Sequence, residues 1–378
     1  MKHNLVFLVV GIAISFLAFA CQNPAASAAA AASATETPSP TPTATPVLIS
    51  NGGVVTTLAG TAGVSGNLNG TGTAALFYQP SSVAVDNAGN VYVADTNNCL
   101  IRKISNSGMV TTLAGTGASG AVNGSGTAAS FSFPTGIAVD GSGNIYVADT
   151  SNYLIRKITS AGLVTTFAGI VGTPGATNGT GTAASFNYPT GIGVDSAGNV
   201  YVADYYNCLI RKITANGVVT TLAGLAGVAG ATNATGTAAL FYFPTGLAVD
   251  GSGNVYVGDW GNCLIREVTS VGVVTTLAGS STNGSANGTG TAASFSQSAY
   301  GLAVDSSGNV YVADSGNNQV RAITPGGVVT TVAGGLFPGS LDGTGSAATF
   351  QQPCGIAVGG TGKIYVADTY NQLIRLIQ

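Results

Sequence analysis

One segment of about 55 residues is repeated through most of the sequence, and this repetition constrains the fold more than any other feature. Its clearest copy is GIAVDGSGNIYVADTSNYLIRKITSAGLVTTFAG at residues 136–169. In every copy an Asp is followed seven residues later by an Arg, and successive copies are 54 or 55 residues apart. The six Asp residues are Asp95, Asp149, Asp204, Asp259, Asp314 and Asp368, and the six Arg residues are Arg102, Arg156, Arg211, Arg266, Arg321 and Arg375. A period of this size predicts a repeat architecture.

Each copy contains four short runs rich in β-branched residues, and turn residues separate them. In the copy quoted above the runs are GIAVD, NIYVADT, LIRKI and LVTTFAG, which we name strands a, b, c and d. Such runs are typical of short β-strands. Only 7% of the residues are charged, against about 25% in ordinary domains, as expected if each sheet is covered on both faces. The sequence therefore predicts an all-β fold, a six-bladed β-propeller with four-stranded antiparallel blades.

The two ends of the repeat region indicate how the ring of blades closes. The region begins with a lone strand d, VVTTLAG at 54–60, and it ends after a strand c, LIRLI at 373–377. Pairing of the N-terminal strand with the C-terminal blade would complete that blade and remove an open sheet edge.

The same residues carry a family resemblance. IYVADTSNYLIRKI, with its Asn-x-Leu core, resembles the NHL repeat, and the likeness extends over six units in residues 52–378. The histidine that gives the family its name is replaced here at all six positions, by Cys99, Tyr153, Cys208, Cys263, Asn318 and Gln372. The resemblance implies a propeller used mainly to bind proteins, peptides, glycans or RNA. It implies no chemistry common to the family.

The segment before the repeats has the features of an export signal followed by a tether. Residues 1–21 combine Lys2 with an apolar run of 16 residues, from Leu5 to Ala20, that is followed by Cys21. The run is short for a membrane span and suits a signal peptide. We expect Cys21 to carry a lipid, as in bacterial lipoproteins. Residues 22–51 are rich in Ala, Ser, Thr and Pro and predict an unstructured tether. We therefore expect a bacterial cell-envelope protein, anchored in the outer membrane or at the cell surface, or secreted if Cys21 is not lipidated.

Few residues are available for catalysis, metal binding or nucleic-acid binding. The single histidine, His3, lies in the signal segment, so a Ser-His-Asp triad and a histidine-ligated zinc site are both excluded. With 11 basic against 14 acidic residues, no basic face for nucleic acid is expected. We predict no catalytic residues, no metal and no cofactor. The alternative is a calcium-dependent hydrolase or lactonase whose acidic site lies on the propeller axis.

The variable residues of the loops suggest where a ligand would bind. The long d–a connections and the b–c connections emerge at one end of the blades, and insertions on repeat scaffolds often carry function. On that face aromatic side chains are concentrated on blades three and four, and these suit stacking on sugar rings or contact with peptide side chains. The predicted ligand-binding residues are Trp260, Tyr205, Tyr206, Tyr242 and Tyr370.

Two other interpretations of these aromatic residues remain open at this point. The rings could simply cover glycines in the loops of their own blade. The protein could also be a structural or adhesive protein whose loop-rich face contacts another protein. We expect a monomer, since a closed ring leaves no sheet to be completed by a second copy.

Overall fold

The computed structural model describes residues 52–378, so the predicted signal segment 1–21, with Cys21, and the tether 22–51 lie outside the described residues. Six antiparallel sheets surround a central axis, and the innermost strand of each contacts those of both neighbours in a closed ring. This confirms the predicted six-bladed β-propeller.

Strands a and b form the inner half of every blade. Strand a runs over Pro80–Val85, Pro134–Val139, Pro189–Val194, Pro244–Val249, Ala299–Val304 and Pro353–Val358 in blades one to six. Strand b runs over Val91–Asp95, Ile145–Asp149, Val200–Asp204, Val255–Asp259, Val310–Asp314 and Ile364–Asp368. Every residue of strand b is buried, because blades cover both of its faces.

Strands c and d form the outer half. Strand c runs over Leu100–Ile104, Leu154–Ile158, Leu209–Ile213, Leu264–Val268, Gln319–Ile323 and Leu373–Ile377. Strand d of blades one to five runs over Met109–Ala114, Leu163–Ala168, Val218–Ala223, Val274–Ala278 and Val328–Ala333. The helical segments of residues 52–378 are all single 3-10 turns, and none is long and apolar enough to cross a membrane.

Strand d of blade six comes from the other end of the chain. Val54–Ala59 pairs antiparallel with Leu373–Ile377, with Val55 opposite Ile377 and Thr57 opposite Arg375. The predicted closure is confirmed: one blade is built from both ends of the repeat region.

Five of the six blades contain a fifth strand, which differs from the prediction of four. Two residues of each d–a connection pair with the start of strand d of the following blade, as Gly179–Thr180 pairs with Val219 and Val218. The other short strands are Gly70–Thr71, Gly124–Ser125, Gly288–Thr289 and Gly343–Thr344. In blade four a single bridge between Thr235 and Val273 takes this place. The added residues cover the outer edge of the blade, which would otherwise be open to pairing.

The repeated Asp and Arg form a buried ion pair in every blade. In blade three Arg211 Nη1 lies 2.7 Å from Asp204 Oδ2, and both side chains are fully buried. The guanidinium also lies over the ring of Phe186, a buried residue of the d–a connection. Burial raises the pKa of Asp204 to about 6, and its contacts with Arg211 oppose this shift. The repeated Asp and Arg are therefore part of the scaffold of each blade.

Candidate functional site

The d–a and b–c connections form one face of the propeller, which we call the loop face. Each b–c connection is a single 3-10 turn, such as Tyr205–Asn207 in blade three and Trp260–Asn262 in blade four. The residue after each turn has a positive φ, between 52° and 62°. The turn therefore ends in a left-handed residue, and it brings its first residue to the inner part of the loop face.

These left-handed residues occupy the position at which the NHL repeat has histidine, and several of them join adjacent blades. The backbone N–H of Gln79 in blade one donates to Gln372 Oε1 of blade six at 2.5 Å. The backbone N–H of Gln352 in blade six donates to Asn318 Oδ1 of blade five at 2.9 Å. Cys99, Cys208 and Cys263 are buried free thiols, and the Cys208 sulfur accepts from the Phe243 amide. At Cys208, Asn318 and Gln372 the residue in place of histidine thus supplies a hydrogen-bond acceptor at the blade junction.

Six residues surround the axis on the loop face, each immediately before strand a of its blade, and we call them the mouth ring. In order around the axis they are Gln79, Phe133, Tyr188, Phe243, Ser298 and Gln352. All except Ser298 have a positive φ, a conformation that is uncommon for residues other than glycine. The half of the ring on blades two to four is aromatic, and the half on blades five, six and one is polar.

Six rings on blades three and four contact one another and form what we call the aromatic cluster. Its members are Tyr188, Tyr205, Tyr206, Tyr242, Phe243 and Trp260. Tyr205 of blade three stacks on Phe243 of blade four, with centroids 4.8 Å apart and planes within 12°. Trp260 lies 5.8 Å from Phe243 and 6.0 Å from Tyr205. The cluster therefore spans the boundary between two blades.

The cluster is partly exposed, so a ligand could reach it. Tyr206 is 49% exposed, whereas Tyr188, Tyr205, Phe243 and Trp260 are partly buried. Burial raises the pKa of the Tyr188 phenol, and the neighbouring Tyr206 adds to this effect. The Trp260 Nε1–H is buried and donates to no residue in the described part of the chain.

The alternative interpretation that the rings cover glycines in the loops of their own blade applies to Tyr242. A Cβ added to Gly261 would lie 2.4 Å from the Tyr242 ring, so Tyr242 covers a glycine of its own blade. The other five rings of the cluster contact one another.

The structure brings four of the five predicted ligand-binding residues together. Trp260, Tyr205, Tyr206 and Tyr242 belong to the aromatic cluster, whereas Tyr370 is exposed on blade six and contacts none of the aromatic rings whose placement the structure describes. The sequence analysis missed Tyr188 and Phe243. Both precede the proline at the start of strand a, and an aligned comparison of the residue before this proline in each repeat would have found them.

At positions 205 and 260 the aromatic side chains replace a hydroxyl that joins blades elsewhere in the ring. Thr96, Thr150 and Thr369 occupy the same position in other blades, and each donates to the carbonyl of the first strand-a residue of the next blade at 2.7 Å. Ser315 does the same in blade five. Blades three and four thus have an aromatic ring at the position where the other four blades have Thr or Ser.

The central channel has aliphatic walls. A cavity of about 170 Å³ on the axis is lined by the last three residues of all six a strands, such as Val83, Ala84 and Val85, and none of these residues is charged. Within the described residues no group of three or more His, Cys, Asp or Glu could hold a metal ion. This wall supplies no side-chain carboxylate for an acidic axial site.

Outside the buried ion pairs, charged side chains are concentrated on the face opposite the loop face. The Asp that ends strand a lies in the a–b turn there, where Asp86 accepts from the Asn90 amide and side chain. The Lys of strand c lies at the same end, since Lys103 is paired with Tyr92 near the start of strand b. In the d–a and b–c connections the single charged residue is Asp342, which pairs with Arg375 at 2.8 Å. The loop face therefore has almost no free charge.

Comparison with known proteins identifies the repeat and the fold. The NHL repeat matches six segments of the chain: residues 77–104, 131–158, 186–213, 241–267, 298–323 and 350–375. NHL repeat-containing protein 2 of Bos taurus is 28% identical over 336 residues, which cover 79% of this chain and 46% of that protein. The chain spans less than half the length of the first curated relatives that it matches.

Solved structures share the architecture at low sequence identity. An auxiliary nutrient binding protein from Bacteroides thetaiotaomicron has a TM-score of 0.65 at 17% identity, over 86% of this chain and 76% of that one. A gluconolactonase from Xanthomonas campestris has a TM-score of 0.55 at 12% identity, over 86% of this chain and 89% of that one. At such sequence identities the similarity shows the fold alone. The proteins that share this fold include both binding proteins and enzymes. The repeat matches and the six closed blades together establish that this chain belongs to the NHL-repeat proteins.

Proposed function

We propose that this protein is an exported binding or scaffolding module, and that the loop face binds a protein, peptide or glycan. The observation that carries the proposal is the aromatic cluster, in which six rings from two blades are gathered at the mouth of the channel. Partly exposed aromatic side chains contribute much of the binding energy at many interfaces. Two rings of the cluster, Tyr205 and Trp260, also stand where the other four blades have Thr or Ser, so the aromatic surface is specific to blades three and four.

The direction of the chain is compatible with anchoring through Cys21. Val54 begins strand d, which runs from the c–d end of the blade toward the loop face. The described chain therefore begins on the face opposite the loop face. We propose a monomer that is anchored in a bacterial cell envelope through a lipid on Cys21.

A calcium-dependent hydrolase is the second candidate, since a gluconolactonase shares the fold. The aliphatic channel wall argues against an acidic axial site in residues 52–378. We therefore place the binding function first.

The single Trp260 provides a direct test of the binding function. We would titrate the protein with pools of neutral and acidic glycans, cell-wall fragments and peptides, and follow Trp260 fluorescence with calcium and then with a chelator. We expect a saturable change with at least one pool and no effect of the chelator.

Two substitutions would locate the binding site. Tyr205→Ala removes the ring that stacks on Phe243, and loss of such a contact of about 1.4 kcal/mol or more weakens binding at least tenfold. Phe337→Ala is the matched control, because Phe337 is 83% exposed in the connection to blade six, outside the cluster. Equal losses in both variants, or no change with any pool, would contradict the proposal, and loss of the signal with the chelator would favour the enzyme.

A further inference from the structure

We infer that the ligand of the loop face is an uncharged oligosaccharide that lies across the mouth of the channel. This inference rests on the proposed binding function and names the class of ligand. It is carried by two observations, the near-absence of charge on the loop face and the division of the mouth ring into an aromatic and a polar half.

The lack of charge limits the ligands that this face can select. Asp342 is the single charged residue in the d–a and b–c connections, and its carboxylate pairs with Arg375. Charged groups are recognised by complementary charges, which also accelerate association. A polyanionic glycan, a phosphorylated peptide or a basic peptide would find no such partner here. An uncharged ligand loses nothing by this lack.

The mouth ring offers the two kinds of surface that a sugar ring needs. A sugar has faces of C–H groups and edges of hydroxyl groups. Phe133, Tyr188 and Phe243 supply aromatic surface for the faces. Gln352 is exposed across the mouth from Tyr188, and a carboxamide both donates and accepts hydrogen bonds, as a hydroxyl does.

The blades oppose each other in the required way. In a ring of six, blades three and four lie across the axis from blades six and one. The aromatic cluster therefore faces the carboxamides of Gln79 and Gln352, and Asn97 Nδ2 holds Gln79 Oε1 at 2.6 Å. A short chain of sugar residues that spans the mouth would contact both halves.

Two common modes of peptide binding do not fit this face. Addition of a peptide strand needs an exposed sheet edge, and the outer edges of five blades are already paired with the short fifth strands. Recognition of phosphorylated or acidic peptides needs an Arg cluster, whereas the six repeated Arg residues are buried. An aromatic groove for a proline-rich peptide is a peptide mode that this face could accommodate, and the test includes it.

The test uses Trp260 fluorescence with defined ligands. The neutral set contains hexasaccharides of α- and β-glucan, mannan, xylan and chitin, the charged set contains polygalacturonate oligomers of equal length, and a neutral proline-rich peptide completes the panel. We expect saturable binding of a neutral sugar, with a dissociation constant that changes less than about twofold between low and high salt, because no charge pairs are screened.

Variants of the polar half complete the test. Gln352→Ala should weaken binding of the neutral sugar about fivefold or more, through loss of hydrogen bonds to the ligand. Lys103→Ala, on the opposite face, is the control and should leave binding unchanged. Unchanged thermal unfolding of both variants would exclude misfolding as the cause.

The possible failures are distinguishable. Tighter binding of the acidic oligomers with strong salt dependence, or binding of the peptide alone, would overturn the inference and leave the proposed binding function standing. No fluorescence change with any ligand of the panel or the broader pools would overturn both.

Discussion

The buried ion pair of each blade leads to a quantitative prediction, which we develop for blade three with Arg211→Met. Arg211 makes four hydrogen bonds: Nη1 donates to Asp204 Oδ2 at 2.7 Å and to the Ser185 carbonyl at 3.1 Å. Nη2 donates to the Thr177 carbonyl at 3.0 Å and to Asn178 Oδ1 at 2.8 Å. Methionine has a similar length and no donor, so all four acceptors lose the hydrogen bond from Arg211, and Asp204 Oδ2 keeps only the one from Asn207 Nδ2 at 2.8 Å.

The expected cost is large because Asp204 is fully buried. Removal of one partner of a buried ion pair destabilises a protein by about 3–5 kcal/mol. The buried carbonyl of Ser185 is left without its donor as well, which places the expected loss in the upper part of this range. We expect the variant to unfold at a clearly lower urea concentration.

The chain offers a matched control in blade six. Asp342 accepts from Arg375 at the position where Asn178 accepts from Arg211, and half of its side chain is exposed. Asp342→Asn therefore installs the residue that blade three already has. We expect a change of no more than about 1 kcal/mol, since exposed ion pairs contribute little.

The assay is urea unfolding followed by circular dichroism at several pH values. Without Arg211 the pKa of Asp204 should rise above about 6, so the stability deficit should be smaller in acid, where Asp204 is protonated, than at neutral pH. An Arg211→Met variant no less stable than Asp342→Asn would refute the reasoning, as would a deficit that grows as the pH falls.

Three further predictions concern the buried carboxylates, the strand that closes the ring and the buried thiols. Burial raises the pKa of Asp204, Asp259 and Asp368 to about 6, above the value of about 3.9 in the unfolded chain. The stability that protonation of these groups contributes is therefore fully present below about pH 3.9 and is lost as the pH rises through 6. The free energy of unfolding from urea titrations should be higher near pH 5 than above pH 7. Deletion of Val54–Ala59 opens blade six, and thermal scans should show a lower and broader transition than for the full chain. Burial also raises the pKa of Cys263 to about 11, so a thiol reagent should modify it in urea and hardly at all in the native protein.

The fold could be predicted from sequence because its determinants are repeated. A period near 55 residues, four apolar runs in each unit and complementary ends leave few alternatives to a closed propeller. The Asp and Arg residues recur seven positions apart, which places both on neighbouring strands b and c of one blade. The fifth strands escaped prediction, because two residues such as Gly179–Thr180 have no periodicity of their own.

The candidate site was predictable only in part, because it departs from the repeat. Tyr205 and Trp260 stand out because the other blades have Thr or Ser there. Tyr188 and Phe243, which join them, are themselves left-handed residues that precede a proline. Their conformation belongs to the junction between two blades, which the sequence pattern of a single repeat does not reveal. Tyr370 shares the sequence pattern, but it lies on blade six, across the axis from the cluster.

The most direct test of the account is the nuclear magnetic resonance signal of the single indole N–H, that of Trp260. The protein would be labelled with ¹⁵N and titrated with a neutral oligosaccharide from the panel. We predict that the Trp260 indole resonance and the amides of blades three and four on the loop face shift together and saturate. Shifts confined to the a–b turns of the opposite face, around residues such as Asp86, with the indole resonance unchanged, would contradict the account.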